Sequence, residues 1–189
     1  MKNKISTKQI VIGGVLLAIM IASQFFKNLS VYVTGPIVNL VLIIATLSCG
    51  LVIGLILSVI APLTSFIITG GSPVLIGIPL IIPAIMVGNM ILCVAVWFFY
   101  SKFSYKGKLA TGLVAGSLCK AAFMGAVIVK CLLPLFSSNI KIPSEKLPAV
   151  IKTASATFSV TQLITALIGS ALAYVIWLLA GKQLKNDAK

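Results

Sequence analysis

Two lysines lie inside one long apolar stretch, and their chemistry raises the first question about this chain. The stretch is 109–133, with Lys120 near its middle and Lys130 near its far end. A charged side chain at the centre of a bilayer costs about 2.5–3.5 kcal/mol on insertion scales, so it normally faces other helices or a water-filled cavity. The two acidic residues, Glu145 and Asp187, lie outside the apolar runs. An anionic or carbonyl-rich ligand could therefore be the partner of these lysines.

Each lysine also has a structural explanation. Lys120 could bond to helix-end carbonyls or to packed polar groups, whereas Lys130 could extend to a nearby membrane surface. Their separation of ten residues, at about 100° per residue, places the two side chains about 80° apart around a helix. One broad helix face could therefore present both.

Three side-chain amides occur at similar depth on other apolar runs: Asn39, Asn89 and Gln162. Amides in lipid must find hydrogen-bond partners, and bonds between helices are their usual role. Convergence of these amides with the lysines would instead form an apolar pocket with a few polar groups. Tyr32 and Thr34, in the polar connection 27–35, could form part of a lid. The predicted substrate-binding set is Lys120, Asn39, Asn89, Gln162, Lys130, Tyr32 and Thr34.

The elements that position these residues must be membrane helices. The chain has 189 residues, is 60% hydrophobic and only 9% charged, and has a mean hydropathy of +1.19. No soluble domain of this size could bury so much apolar surface, so we predict an all-α bundle of six transmembrane helices forming a single membrane domain, 1–189. The predicted spans are 9–26, 36–47, 51–68, 75–100, 109–133 and 154–180.

The distribution of lysines predicts the orientation. With a cytoplasmic N-terminus, nine lysines fall in cytoplasmic segments and four in outer ones, which follows the positive-inside rule. Both termini are therefore expected in the cytoplasm, with the connection 136–152 outside. The nine are Lys2, Lys4, Lys8, Lys102, Lys106, Lys108, Lys182, Lys185 and Lys189, and the four are Lys27, Lys141, Lys146 and Lys152.

Catalytic and metal sites lack their usual parts. There is no histidine, and the four cysteines have no CxxC spacing, so we expect no metal and no cofactor, and treat the cysteines as packing residues. Hydrolase motifs and a P-loop are missing, so no enzymatic activity is expected and any ATP use would belong to partner proteins. Despite a net charge of +13, no basic patch with interleaved aromatics predicts nucleic-acid binding.

The first span carries small residues at intervals of four: Gly14, Ala18 and Ala22. Such a stripe allows another helix backbone to approach closely in lipid. The other helix could belong to this bundle or to a separate subunit.

The whole chain resembles the substrate-binding S components of energy-coupling factor (ECF) vitamin transporters. The resemblance lies in the size, the six spans, the stripe of Gly14, Ala18 and Ala22, and the phrases GPIVNLVLIIA (35–45) and IPAIMVGN (82–89). It implies that this stripe contacts a transmembrane coupling subunit and that two cytoplasmic ATPases drive import.

The resemblance also implies a plasma-membrane location and an outward pocket closed by the connection between the first two spans. The solute would be small and vitamin-like or heteroaromatic, and GPxVN, PxIMxGN and TQLITALIG are similar to S components linked to cobalamin precursors such as dimethylbenzimidazole. The alternative from a different class is a structural membrane scaffold without solute transport, whose polar residues only join helices.

Overall fold

Helices form every regular element in the part of the chain that this computed structural model describes, residues 6–26 and 30–187. Lys2, Lys4, Lys27 and Lys189 of the orientation count lie outside the described residues. Six helices within that part are long and apolar enough to cross a membrane. The prediction of an all-α bundle with six spans is therefore confirmed.

The first three spans are simple helices: α1 (Thr7–Gln24), α2 (Val31–Ser48) and α3 (Leu51–Thr69). Ser6 caps α1 in a capping box with Gln9. The turn between α2 and α3 is very short because Gly50, with φ of 95°, adopts a conformation that L side chains rarely take. A short helix, α4 (Pro73–Gly77), and the fourth span, α5 (Ile81–Lys102), follow.

The last two spans combine several helix types. The fifth, α6, consists of an α-helical part (Lys108–Met124), a π-helical part (Gly125–Leu132), a second α-helical part (Leu133–Phe136) and a 3-10 turn (Ser137–Asn139). The sixth, α7, begins with a 3-10 turn (Ser144–Lys146). It continues through α-helical Leu147–Ala156 and π-helical Thr157–Thr161 into α-helical Gln162–Asp187.

Helix α2 lies at the centre of the bundle. It is apolar on all sides and is the most buried of the six spans. Its residues belong to two apolar clusters. One cluster joins α2 to α1 and α3, and the other joins it to α5, α6 and α7. Because α2 contacts most other spans, its polar residues are well placed to meet polar residues from them.

The predicted connection 27–35 is partly helical. The side chain of Ser30 accepts a hydrogen bond from the backbone N–H of Tyr32 at 3.1 Å and caps α2, so the helix begins at Val31 and Pro36 lies inside it. The expected start at Pro36 is five residues late. Tyr32 and Thr34 therefore lie on the first turns of a helix and not in a loop.

The predicted run 75–100 is interrupted. Ile78 precedes Pro79 and has φ of −130° and ψ of 76°, outside the helical region. A residue before proline is sterically disfavoured in the α conformation, so α4 ends there and α5 begins at Ile81. This break turns α4 into a separate short helix.

The predicted long connection 136–152 is mostly helical, contrary to the prediction. Pro134 does not end the fifth span, because it lies inside the helix, in the α-helical part Leu133–Phe136 that directly follows the π-helical part. Pro148 lies in the first turn of the α-helical part of α7, where its missing N–H does no harm. Only 140–143 separates the two long helices, and Ile140 in this link is buried in an apolar cluster.

Two of the four cysteines do not pack inside the bundle. Cys49 and Cys93 are buried, as predicted, but Cys119 and Cys131 are exposed on α6. A thiol is apolar enough to face lipid, so these two positions need no partner.

Candidate functional site

Lys120 is the centre of a three-residue polar cluster inside the bundle. Its Nζ donates to Asn39 Oδ1 at 2.6 Å and to Asn89 Oδ1 at 2.8 Å. Only 2% of Lys120, 2% of Asn39 and 3% of Asn89 is exposed. The structure thus brings together three of the predicted site residues from three different spans, α2, α5 and α6.

Close helix packing positions Asn39. Its Nδ2 donates to the carbonyl of Gly35, one turn earlier on α2, at 2.9 Å. A Cβ on Gly169 of α7 would lie 2.6 Å from the Pro36 carbonyl oxygen and 2.7 Å from Asn39 Cβ. Only glycine allows α7 to approach α2 this closely, so Asn39 is held against a neighbouring backbone.

A second glycine, Gly88, lets α6 pack closely against α5 beside Asn89. A Cβ on Gly88 would lie 2.9 Å from Met124 Cγ and 3.7 Å from Lys120 Cγ. Since α5 presents no side chain here, Met124 of α6 can pack against its backbone, and the alkyl stem of Lys120 lies in ordinary contact beside it. In the sequence GN at 88–89, the glycine thus allows close helix packing and the asparagine supplies the polar group.

Lys120, Asn39 and Asn89 border a cavity of about 710 Å³, within the range of about 300–1,000 Å³ that is usual for small-molecule sites. Its walls are mainly apolar, and two phenylalanines, Phe66 and Phe158, contribute to them. The remaining apolar wall residues include Val38, Val74, Leu75, Ile82, Ile85 and Val150. This combination of apolar walls and a few convergent polar groups is typical of a ligand pocket.

The cavity occupies the half of the bundle away from Thr7 and the last turns of α7, whose end of the bundle we call the terminal face. It is lined by the end of α1, the start of α2, the end of α3, α4, the start of α5, Lys120 of α6 and the first part of α7. On α2, α5 and α7, the lining residue nearest the terminal face is Asn39, Asn89 and Gln162, respectively. We call these three, together with Lys120 and Gln24, the polar floor.

Several hydrogen-bonding groups of the polar floor are unused within the described part of the chain. Lys120 has three N–H donors and gives two to the asparagines. Asn89 uses its oxygen for Lys120, and its Nδ2 bonds to no described residue. Gln24 Oε1 is buried and has no partner among the described residues. The floor can therefore offer both donors and an acceptor to a bound molecule.

Gln24 was not among the residues predicted from the sequence. It precedes Phe25, Phe26 and Lys27 at the end of the first span, a position typical of a solvated helix end. The direction in which the small-residue stripe faces would have predicted where Gln24 lies. Gln24 is two positions, or about 200°, beyond Ala22, so an outward-facing stripe predicts an inward-facing Gln24.

The cavity is positively charged. No acidic side chain among the described residues lines it, and Lys146 of α7 adds a second ammonium group near its mouth. A buried cation that is surrounded only by neutral groups favours a ligand with a negative or carbonyl-rich end, because that end would supply the missing opposite charge.

The other predicted site residues divide into two groups. Thr34 and Gln162 line the cavity. Tyr32 is 56% exposed and its hydroxyl lies 3.5 Å from Thr161 Oγ1, while Lys130 is exposed on the outer side of α6. Neither Tyr32 nor Lys130 borders the cavity. Lys130 faces another direction than Lys120 because the π-helical part of α6 takes more residues per turn than the assumed 3.6.

The stripe on α1 faces outward. Gly14, Ala18 and Ala22 are all exposed, whereas Gly13, Met20, Ser23 and Gln24 form the buried side. The close approach within the bundle is made by Gly13, where a Cβ would lie 3.0 Å from Ile53 Cγ2. No described residue therefore covers the stripe.

Comparison with known proteins agrees with this architecture. A family model described as "ECF transporter, substrate-specific component" matches residues 8–180. No curated protein and no solved structure matches the chain. Because the family match covers most of the 189 residues, the chain belongs to the substrate-specific components of ECF transporters, a family of multi-pass membrane transport subunits.

Proposed function

We propose that this subunit captures a small vitamin-like or heteroaromatic solute in the cavity, with an anionic or carbonyl-bearing end against Lys120. The observation that carries the proposal is the position of Lys120, which is buried, lines the cavity and bonds only to neutral amides among the described residues. The apolar walls, including Phe66 and Phe158, suit a ring system.

The proposed direction of transport is inward from the outer side of the plasma membrane. The excess of lysines on the terminal side supports cytoplasmic termini, and the cavity lies in the opposite half of the bundle. The cavity would then open outside. Thr34 and Gln162 complete its polar lining, whereas Tyr32 and Lys130 have no place in this proposal.

The comparisons do not support one particular solute. Nothing in the comparisons favours dimethylbenzimidazole over other small solutes, and the proposal does not include it. The structural scaffold that the sequence left as an alternative is likewise unsupported, because the matching family consists of transport subunits.

The proposed partners are a transmembrane coupling subunit and two cytoplasmic ATPases. Membership in the family supports association with such a module. The outward-facing Gly14, Ala18 and Ala22 offer the coupling subunit a surface that a helix could approach closely.

Native mass spectrometry of the tagged chain, gently purified from its native host, tests the proposal. We expect a stoichiometric small molecule on the chain, and a population that also carries a coupling subunit and two ATPases. A chain that carries neither a small molecule nor these proteins, under conditions that preserve lipid adducts, would refute the proposal.

The coupling surface has a test of its own in Ala18→Trp. The indole should block close approach of a partner helix, so we expect at least tenfold less coupling subunit to co-purify, with the bound small molecule retained. Ala171→Trp, also an exposed alanine on a span, is the matched control because it lies on α7. Equal recovery of the coupling subunit with both variants would contradict the assignment of this surface.

A further inference from the structure

The amide of Gln24 is only half satisfied by the part of the chain that the structure describes. Its side chain is 2% exposed and lines the cavity. Its Nε2 donates to the carbonyl of Ala61 on α3 at 3.0 Å, and its Oε1 is buried without a partner among the described residues. Asn39 differs, since both of its amide atoms are bonded within the protein.

The contact with Ala61 fixes which way the amide points. The Ala61 carbonyl accepts from Gln24 and also from Thr64 Oγ1 at 3.1 Å. Turning the amide over would set the Gln24 oxygen against this carbonyl oxygen, and two acceptors repel each other. The oxygen of Gln24 is therefore the atom left for another donor.

A buried acceptor without a partner is costly, so it normally bonds to protein, water or ligand. We infer that Gln24 Oε1 accepts a hydrogen bond from an N–H or O–H group of the transported solute. This inference rests on the proposed function and narrows the class of solute. The solute carries an anionic or carbonyl group for Lys120 and, separately, a hydrogen-bond donor for Gln24.

The division of roles follows from the polar floor. The N–H groups of Lys120 and Asn89 that bond to no described residue supply donors, while the Asn89 oxygen accepts from Lys120. Gln24 supplies an acceptor in the same cavity. A solute with acceptors alone would leave Gln24 unsatisfied, and the floor would discriminate against it.

A double-mutant cycle tests this pairing with the full-length chain. The first probe is the small molecule released by denaturing wild-type protein purified from its native host. The second is a set of derivatives of that molecule, each methylated at one N–H or O–H group. Both are titrated calorimetrically into stripped wild-type protein and into Gln24→Leu. Gln9→Leu is the matched control, because Gln9 lies on the same helix and also bonds to backbone, accepting from the Ser6 N–H at 2.9 Å.

We expect Gln24→Leu to weaken binding of the released molecule about tenfold, in line with one lost hydrogen bond, and Gln9→Leu to change it less than twofold. One methylated derivative should bind wild-type protein about tenfold more weakly, yet show little further loss with Gln24→Leu. Such non-additivity is the mark of a direct contact. A merely structural role for Gln24 predicts additive losses for every derivative.

Each other outcome is decisive. Unchanged affinity of folded Gln24→Leu, or additive losses for all derivatives, would overturn the inference and leave the proposed function intact. Absence of any released molecule would instead overturn the proposed function. If Gln24→Leu does not fold, the titrations of wild-type protein decide alone. Equal binding of every methylated derivative would show that the solute needs no N–H or O–H donor, and this would overturn the inference.

Discussion

Buried polar groups of the polar floor find their partners differently from those in the terminal half of this bundle. In the terminal half, hydroxyls bond to the backbone of their own helix, as Thr46 does to the Leu42 carbonyl at 2.7 Å and Ser58 to the Gly54 carbonyl at 2.8 Å. At the polar floor, Lys120 reaches Asn39 and Asn89 on other helices. A polar group whose hydrogen bonds are made within its own helix can lie at any depth in the membrane. A polar group whose partners come from other helices marks the place where those helices meet.

Contacts between helices also occur in the terminal half, but they are secondary there. Ser117 donates to the Leu113 carbonyl at 2.8 Å and lies 3.0 Å from the hydroxyl of Ser170. Ser58 likewise lies 3.4 Å from the thiol of Cys93. Ser117 and Ser58 each already donate to a backbone carbonyl and do not line the cavity, so these contacts only join helices. The polar floor retains capacity for a ligand, which is the difference that mutations can probe.

The strongest test of this contrast is Lys120→Met. We expect solute affinity to fall about 100-fold, because a charged hydrogen bond contributes about 1.5–3 kcal/mol and Asn39 and Asn89 would lose their common partner. Calorimetric titration of the solute released from wild-type protein measures the change. Unaltered affinity would reduce Lys120 to a structural residue.

Asn89→Leu should have the next largest effect. The Nδ2 group of Asn89 makes no bond to the described residues, so its loss should weaken solute binding about tenfold, as expected for one neutral hydrogen bond with modest rearrangement. The same titration measures affinity, and thermal melting in detergent checks the fold. A lower melting temperature with full affinity would place Asn89 with the residues that only join helices.

Ser117→Ala probes the terminal half. Removing the hydroxyl deletes its bond to Leu113 and its contact with Ser170, so we expect the free energy of unfolding to fall by about 1 kcal/mol. Solute affinity should change less than twofold. Should affinity fall together with stability, the two halves would not be separable in the way described.

Lys130→Met should do least, although it removes the same charge as Lys120→Met. Lys130 is exposed and does not border the cavity, so we expect less than a twofold change in affinity and a stability change within about 0.5 kcal/mol. This variant is the matched control for Lys120. A loss of affinity that approaches that of Lys120→Met would indicate a general effect of charge.

The sequence was sufficient for the six spans but not for their ends. A helix in lipid must bond its own backbone, so long apolar runs can hardly be anything else. The ends of the helices depend on which residues cap, extend or break the helix at each position, and composition alone does not determine this. Ser30 extended α2 past the expected start, Pro79 broke the fourth run, and Pro148 began a helix where a loop was expected.

The candidate site was predictable in part for a related reason. Lys120, Asn39 and Asn89 stand out because strong polar groups are rare in apolar runs, and their mutual contact follows from the need for partners. Gln24 was hidden because an amide at the end of a span looks solvated, although here it bonds to Ala61 inside the bundle. Whether such an amide faces solvent or the bundle interior depends on how the helices pack, and its position along the span does not reveal this.

The placement of the cavity opposite the chain ends has a practical consequence. The first turn of α1 at Thr7 and the last turns of α7 lie on one face of the bundle, and the cavity mouth near Lys146 lies on the other. An affinity tag or surface tether at either end would leave the mouth unobstructed. Oriented layers of this protein on a sensor chip would thus present uniformly accessible cavities, which would suit label-free screening of compound libraries.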